Sequence, residues 1–198
     1  SAISEPDDLA MLAGLAAVVK QATEAFEDYQ YTDALEAAEK FFWAFCDDYL
    51  ELVKERSYSD DTSAASATAA LQLALNVQLR LFAPFMPFVT EEVWSWWQPG
   101  SVHHASWPSV DELPSGGDAA LLDDLAEVLM GIRGAKSRAQ VKMRTEVDRA
   151  VISGPAESLA RLKTITRDLR AVGRISGELA FVPGGEQISV EVELAAQG

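Results

Sequence analysis

The stretch FFWAFCDDYLELVK at residues 41–54 decides the fold, because its apolar residues recur at the three- and four-residue intervals of an amphipathic helix. We predict that this helix begins after Thr32, whose hydroxyl can cap its first turn, and ends at about Arg56. The predicted buried stripe of the helix consists of Leu35, Phe42, Phe45, Tyr49 and Leu52. A stripe of this kind needs other helices to pack against.

Further helical periods lie on both sides of this stretch. An apolar series that follows Asp7 and Asp8 predicts a helix to about Tyr29. A third predicted helix ends at Pro84, and a fourth begins at Pro87, because proline is tolerated only in the first turn of a helix. The residues predicted to be buried in these last two helices are Leu71, Leu75, Gln78, Phe82, Val93, Trp94 and Trp97. The four helices predict an up-and-down bundle over residues 1–108.

The second half of the chain has a different period. Residues 98–117 are rich in Pro, Gly, Ser and His, and we place a linker and the domain boundary at 109–117. The elements predicted after it are a helix at 118–138, a strand at 147–153, a helix at 155–172, and strands at 178–182 and 187–194. The predicted fold class is therefore mainly α, a helical bundle followed by a helix and a small β-α-β-β unit over 118–198.

The charge of the chain is unevenly distributed. The 198 residues carry a net charge of -15 at pH 7, which by itself argues against a nucleic-acid partner. Residues 1–130 hold 5 of the 16 basic and 23 of the 31 acidic residues, a net of -18, whereas residues 131–198 hold 11 basic and 8 acidic residues, a net of +3. The average charge therefore does not exclude binding to phosphates.

The sequence contains no motif for catalysis, metal binding or membrane insertion. It has no glycine-rich phosphate loop, no serine elbow and no His/Glu metal spacing, and Cys46, His103 and His104 are poor material for a zinc site. We predict no catalytic residue, metal or cofactor in this chain. No window reaches the roughly 18 to 20 uninterrupted apolar residues of a membrane span, so we expect a cytoplasmic protein. The absence of a methionine before Met11 favours a piece of a longer protein.

A second face of the 41–54 helix mixes apolar, acidic and basic side chains. Its members are Trp43, Asp47, Leu50, Glu51 and Lys54, which lie at spacings of three and four away from the buried stripe. Spacing alone favours a second packing face in a crowded bundle, and a binding face is the alternative.

Three stretches of the chain resemble valyl-tRNA synthetases. Residues 45–51, FCDDYLE, resemble the FCDWYLE box of that family. Residues 79–94, LRLFAPFMPFVTEEVW, and residues 100–108, GSVHHASWP, are similar to two further boxes that follow in the same order. The isoleucyl, leucyl and methionyl enzymes share the bundle and a looser form of the second box. The resemblance covers residues 5 to 108 and implies the anticodon-binding domain of a class I synthetase.

The resemblance implies a function and a set of residues for it. The bundle would read the anticodon loop of tRNA(Val), with Leu50 and Glu51 facing the bases and Trp43, Asp47 and Lys54 beside them. The parent would be a valine–tRNA ligase that joins valine to tRNA using ATP and Mg, which bind in a catalytic domain outside this chain. We expect that parent to be monomeric. The family also has a bundle helix before residue 5, which this chain lacks.

The chemistry of these residue types suits the implied role. Valine anticodons end in adenine and then cytosine, and each base carries an exocyclic amine that donates a hydrogen bond. The carboxylate of Glu51 can accept from an amine, and Leu50 can cover the face of a base that is splayed out of a loop. Two alternatives stay open: an anticodon domain of the isoleucyl or leucyl type, and a helical module whose acidic surface binds a basic protein.

A basic segment follows the predicted boundary. Its members are Arg133, Lys136, Arg138, Lys142 and Arg144, and they resemble the basic segment that follows the bundle in these synthetases. Many family members carry Pro-Pro where this chain has Lys142-Met143. We assign the segment to the tRNA backbone, with a solvated helix edge as the alternative.

Overall fold

The computed structural model describes residues 2–196, which form two compact units. The first, which we call the helical unit, contains the residues up to Asp47 together with Asp60–Ala119. The second, which we call the C-terminal unit, contains Asp48–Ser59 together with the residues from Ala120 onward. The sequence-based division assigned all of residues 1–108 to one domain, whereas the contacts in the structure group Asp48–Ser59 with the C-terminal half.

The helices and strands follow one another in a simple order. They are α1 (Pro6–Glu27), α2 (Tyr31–Ala44), α3 (Leu50–Ser57), α4 (Thr62–Phe82), α5 (Pro87–Ser95), α6 (Ala120–Arg138), β1 (Val147–Gly154), α7 (Ala156–Lys163), α8 (Thr166–Gly173), β2 (Ile175–Pro183) and β3 (Ser189–Leu194). A π-helical turn, Phe45–Tyr49, joins α2 to α3. The predicted fold class, a helical bundle plus a small α/β unit, is confirmed.

Helix α1 is the centre of the helical unit. Pro6 starts it, and Leu12 and Leu15 are fully buried where the helix packs against α2 and α4. The carboxylate of Asp8 is also buried and accepts a hydrogen bond of 2.6 Å from the Ser66 hydroxyl of α4. Among the helices of residues 2–196, α1 alone is long and apolar enough to cross a membrane, a test that a buried core helix passes equally well.

The face that α4 buries differs from the predicted one. Leu75 is 38% exposed, whereas the small side chains Ala67, Ala70, Ala74 and Val77 are fully buried. Small residues let neighbouring helix backbones approach closely, so the alanine face of α4 packs inward and Leu75 is displaced toward solvent. The prediction for Gln78 and Phe82 is confirmed, because both are buried.

The buried stripe predicted for one helix over residues 32–56, which the structure divides into α2, the π-helical turn and α3, also needs a correction. Phe45, Tyr49 and Leu52 are buried as predicted, but Leu35 is only half-buried and Phe42 is 37% exposed. Alanine again occupies the inner positions of α2, at Ala34, Ala37 and Ala38. These small residues leave the larger Phe42 at the rim of the core.

The residues that follow α5 pack onto the helical unit. Arg80 of α4 binds both carboxylate oxygens of Glu112, at 3.1 and 2.6 Å, and the Trp107 indole donates to the Thr23 hydroxyl at 2.9 Å. A methyl group on Gly117 would lie 2.0 Å from the carbonyl oxygen of Leu9, so only glycine permits this approach. The predicted linker at 109–117 is therefore fixed against the helical unit by these contacts.

The C-terminal unit is built on a three-stranded sheet of order β2-β1-β3. Strand β1 pairs in parallel with β2 and antiparallel with β3. The connection between the parallel strands is predicted as one helix, but the structure has two, because the chain turns at Thr164 and Ile165 between α7 and α8. The buried core of this unit comes from α6, β1, α7 and α8: Leu125, Leu129, Ile132, Ile152, Leu159, Leu162 and Leu169.

Candidate nucleic-acid interface

The predicted anticodon residues flank or occupy the π-helical turn Phe45–Tyr49. Phe45 and Tyr49, the first and last residues of the turn, are both buried. Single π-turns inside helices occur frequently at functional sites. The turn also marks where the chain passes from one unit to the other, so the residues on either side of it belong to different units.

The helical unit holds Trp43 and Asp47 of the predicted face. Both are exposed, and the Trp43 indole is 55% accessible to solvent. The ring of Phe42 packs edge-on against Trp43 at 5.4 Å and against Phe82 at 5.8 Å. An exposed indole with such aromatic support presents a flat surface on which a base can stack.

The C-terminal unit holds Leu50, Glu51 and Lys54 on helix α3. Glu51 and Lys54 are exposed, Leu50 is half-buried, and the Lys54 ammonium lies 3.2 Å from one carboxylate oxygen of Glu51. Exposed ion pairs contribute only about 0 to 1 kcal/mol, so this pair leaves Glu51 able to exchange partners. Glu51 and Lys54 therefore lie at the surface of this unit, and Leu50 is partly covered.

A buried ion pair fixes helix α3 within the C-terminal unit. The Arg56 guanidinium, 2% exposed, donates to the Asp168 carboxylate of α8 at 2.6 Å. Leu52 and Val53 are buried beside it, on the side of α3 away from Glu51. Sequence reasoning missed this pair, which lies 112 positions apart in the chain and carries no local signal.

The assignment of Lys136 to the tRNA backbone is wrong. Its side chain is 2% exposed, and the ammonium donates to the carbonyl oxygens of Met143 at 2.9 Å and Gly173 at 3.3 Å. A lysine in this position cannot reach a phosphate in solvent. Burial, and to a lesser degree the charge of Arg174, lower the pKa of the Lys136 ammonium.

The other members of the basic segment are at the surface. Arg133 donates to the Asp48 carboxylate at 2.9 Å, so part of its charge is neutralised within the unit. Arg138, Lys142 and Arg144 are exposed and make no ion pair within residues 2–196. Lys142 begins a turn that closes with a hydrogen bond of 2.9 Å from the Thr145 amide to its carbonyl. This turn lies at Lys142-Met143, the position that the sequence comparison marked as a Pro-Pro turn in many valyl-tRNA synthetases.

The buried lysine predicts a pH dependence of stability. The folded-state pKa of Lys136 is lowered from 10.5, so between that lowered pKa and 10.5 the unfolded chain binds more protons than the folded one. The contribution of Lys136 to the free energy of unfolding should therefore rise with pH across this window. In urea titrations, the free energy of unfolding of the wild type should rise relative to that of Lys136→Met as the pH is raised toward 10.5. A constant difference between the two proteins would contradict the prediction.

The histidines and the cysteine show no arrangement for metal chemistry. Across residues 2–196, no group of three or more His, Cys, Asp or Glu side chains is placed to hold a metal ion. The ring of His103 lies 3.1 Å from the carbonyl oxygen of Pro87, and burial raises the pKa of the Cys46 thiol.

The mainly helical unit with its exposed Trp43 indole, and the small α/β unit, together match a known family of domains. Residues 8–152 match the family described as the anticodon-binding domain of tRNA ligase, and the chain belongs to that family. Its curated relatives include valine–tRNA ligases. The chain is 53% identical to that of Cutibacterium acnes over 97% of its own length, 52% identical to that of Thermobifida fusca over 98%, and 49% identical to that of Leifsonia xyli subsp. xyli over 97%.

These relatives confirm the resemblance to valyl-tRNA synthetases and extend it beyond residue 108. The match now includes residues beyond 108, which lie outside the three sequence boxes. The chain spans about a fifth of the length of the relatives, 22% in each of the three cases. It corresponds to their anticodon-binding domain and not to the whole enzyme.

Proposed function

We propose that this chain reads the anticodon loop of tRNA(Val) as part of a cytoplasmic valine–tRNA ligase that joins valine to tRNA using ATP. The observation that supports the proposal most is the 53% identity to a valine–tRNA ligase over 97% of the chain. Catalysis, ATP and Mg belong to a catalytic domain in the rest of the parent protein, which acts as a monomer. This chain contributes selection of the tRNA.

The proposed mechanism uses the exposed residues of α3. Glu51 accepts a hydrogen bond from the exocyclic amine of adenine or cytosine. It repels the carbonyl oxygen that guanine or uracil presents instead, because both groups are acceptors. Leu50, half-buried beside it, covers a base face. Trp43 offers a stacking surface, while Asp47 and Lys54 hold polar groups of the loop.

The tRNA backbone has its own set of proposed contacts. Arg138, Lys142 and Arg144 are exposed cations of the C-terminal unit, and Arg133 adds a cation that already contacts Asp48. Each cation that neutralises a phosphate releases counterions, so binding should weaken steeply as salt is raised. These contacts position the loop and carry no sequence information.

Titration of anticodon stem-loops tests the proposal. We expect the chain to bind the valine stem-loop more tightly than the same stem-loop with a scrambled anticodon, by about 5- to 150-fold if one good base contact is made. Isoleucine and leucine anticodons in the same stem serve as matched controls. A preference for one of them would move the chain to that branch of the family, and equal binding of all sequences would refute anticodon reading. Binding only to a basic protein would favour the interaction module.

A further inference from the structure

The C-terminal unit contains a second cluster of cations around a cleft of about 310 Å³. The end of α3, helix α8 and the start of β2 form its walls. The lining residues are Glu55, Arg56, Glu146, Arg167, Asp168, Arg170, Ala171, Arg174, Ile175 and Ser176. None of the arginines of α8 belongs to the basic segment that the sequence singled out.

The charges of the cleft are not equivalent. Arg56 and Asp168 neutralise each other in their buried pair. Arg170 is half-buried and donates to the carbonyl oxygens of Ile175 at 3.3 Å and Gly177 at 2.8 Å, so its guanidinium is held in place. Arg167 and Arg174 are exposed.

The acidic side of the cleft is smaller than the basic side. Besides the paired Asp168, the lining contains only two carboxylates, those of the exposed residues Glu55 and Glu146. Three further arginines, Arg167, Arg170 and Arg174, line the same cleft. The α8 wall of the cleft therefore offers an anion a concentration of guanidinium groups, which bind phosphate oxygens in a planar, two-pronged geometry.

The backbone at Arg174 is the second observation. This residue caps the C-terminus of α8 in the left-handed conformation, with φ 58° and ψ 41°. Helices that end in this way usually have glycine there, because a side chain disfavours the conformation. The backbone therefore does not call for an arginine here, and glycine would suit the same conformation. Among residues 2–196, Arg174 makes no side-chain hydrogen bond or ion pair that would account for it.

Lys136 connects the turn at Met143 to the C-terminal end of α8. Its buried ammonium binds the carbonyl oxygen of Met143, in the turn that carries Lys142 and Arg144. It also binds the carbonyl oxygen of Gly173, next to Arg174. One buried lysine thus holds the turn beside the end of α8. The same buried lysine therefore contacts both the turn that carries Lys142 and Arg144 and the residue that precedes Arg174.

We propose that this cleft binds a phosphate of an RNA backbone, with Arg174 as the ligand and Arg170 as a fixed cation at its base. The inference rests on the proposed RNA-binding function and extends it to a site that sequence patterns did not single out. A phosphate contact carries no sequence information, so the cleft should contribute equally to RNAs of every sequence.

Arg174→Gly tests the proposal, because glycine suits the left-handed backbone and the variant should fold at least as stably as the wild type. We expect the salt dependence of stem-loop binding, plotted as log K against log salt, to flatten by about one phosphate contact, a change of roughly 0.7 to 0.9 in slope. The loss should be the same for valine and scrambled anticodons. Gln140→Gly is the matched control: Gln140 also has a left-handed backbone, with φ 55°, and carries no charge.

The outcomes separate this proposal from anticodon reading. A wild-type chain without anticodon preference, combined with a flatter slope for Arg174→Gly, would refute anticodon reading and leave the phosphate site standing. An unchanged slope in Arg174→Gly, or an equal change in Gln140→Gly, would overturn the phosphate site. Thermal unfolding with inorganic phosphate provides a further arm. If phosphate stabilises the wild type but not Arg174→Gly while the RNA slope is unchanged, the cleft binds free anions only and the RNA proposal fails.

Discussion

Asp168→Ala should lower the free energy of unfolding of the chain by about 3 to 5 kcal/mol, the usual loss when one partner of a buried ion pair is removed. The mutation removes the carboxylate that lies 2.6 Å from the guanidinium of Arg56. This guanidinium is 2% exposed and cannot turn to water without moving α3. Because α3 also carries Leu50 and Glu51, the same change should loosen the proposed reading helix. Urea unfolding at pH 7 measures the stability loss.

Two further variants test whether the burial of the Arg56–Asp168 pair causes this loss of stability. Asp124→Ala breaks a pair with the same 2.6 Å distance, to Arg161, whose side chain is 24% exposed, so a clearly smaller loss is expected. In the double variant Arg56→Met/Asp168→Leu, apolar side chains replace both charges, and most of the stability should return. If Asp168→Ala costs no more than Asp124→Ala, the buried pair does not anchor α3.

The bundle could be predicted from the sequence because helical periods and prolines are local signals. The C-terminal end of α4 follows from Pro84, and the start of α5 follows from Pro87. Which face turns inward was harder, since alanine and leucine both count as apolar in a periodic pattern. The close approach of helices selected the alanine face of α4 and exposed Leu75, and no single-sequence rule weighs that geometry.

In the candidate site, too, local features could be predicted from the sequence, and features that depend on distant residues could not. The exposure of Glu51 and Lys54 agrees with the prediction because it depends on helical spacing alone. Lys136 was assigned to phosphates because a lysine near arginines normally lies in solvent, and its burial depends on two carbonyl groups from distant parts of the chain. The arginines of α8 do have a local signal, since Arg167, Arg170 and Arg174 lie at helical intervals of three and four.

Glu51→Gln should weaken the preference of the chain for the valine anticodon by about 5- to 150-fold, corresponding to roughly 1 to 3 kcal/mol for one base contact. A carboxylate can only accept hydrogen bonds, and it therefore distinguishes the amines of adenine and cytosine from the carbonyl oxygens of guanine and uracil. A glutamine amide has one acceptor and one donor group, so it can rotate to suit either kind of base. Selectivity should fall further than overall affinity.

The comparison of cognate and non-cognate stem-loops isolates this effect from general electrostatics. Removing one negative charge favours any RNA, so Glu51→Gln should bind scrambled loops as well as or better than the wild type, while cognate binding falls or stays level. Glu24→Gln is the matched control, because Glu24 is also an exposed acid paired with a lysine of its own helix, Lys20, at 4.0 Å. It should raise all affinities slightly and leave their ratio intact. If Glu51→Gln changes the affinity equally for every anticodon, Glu51 acts only through the general electrostatic potential of the domain and does not contact a base.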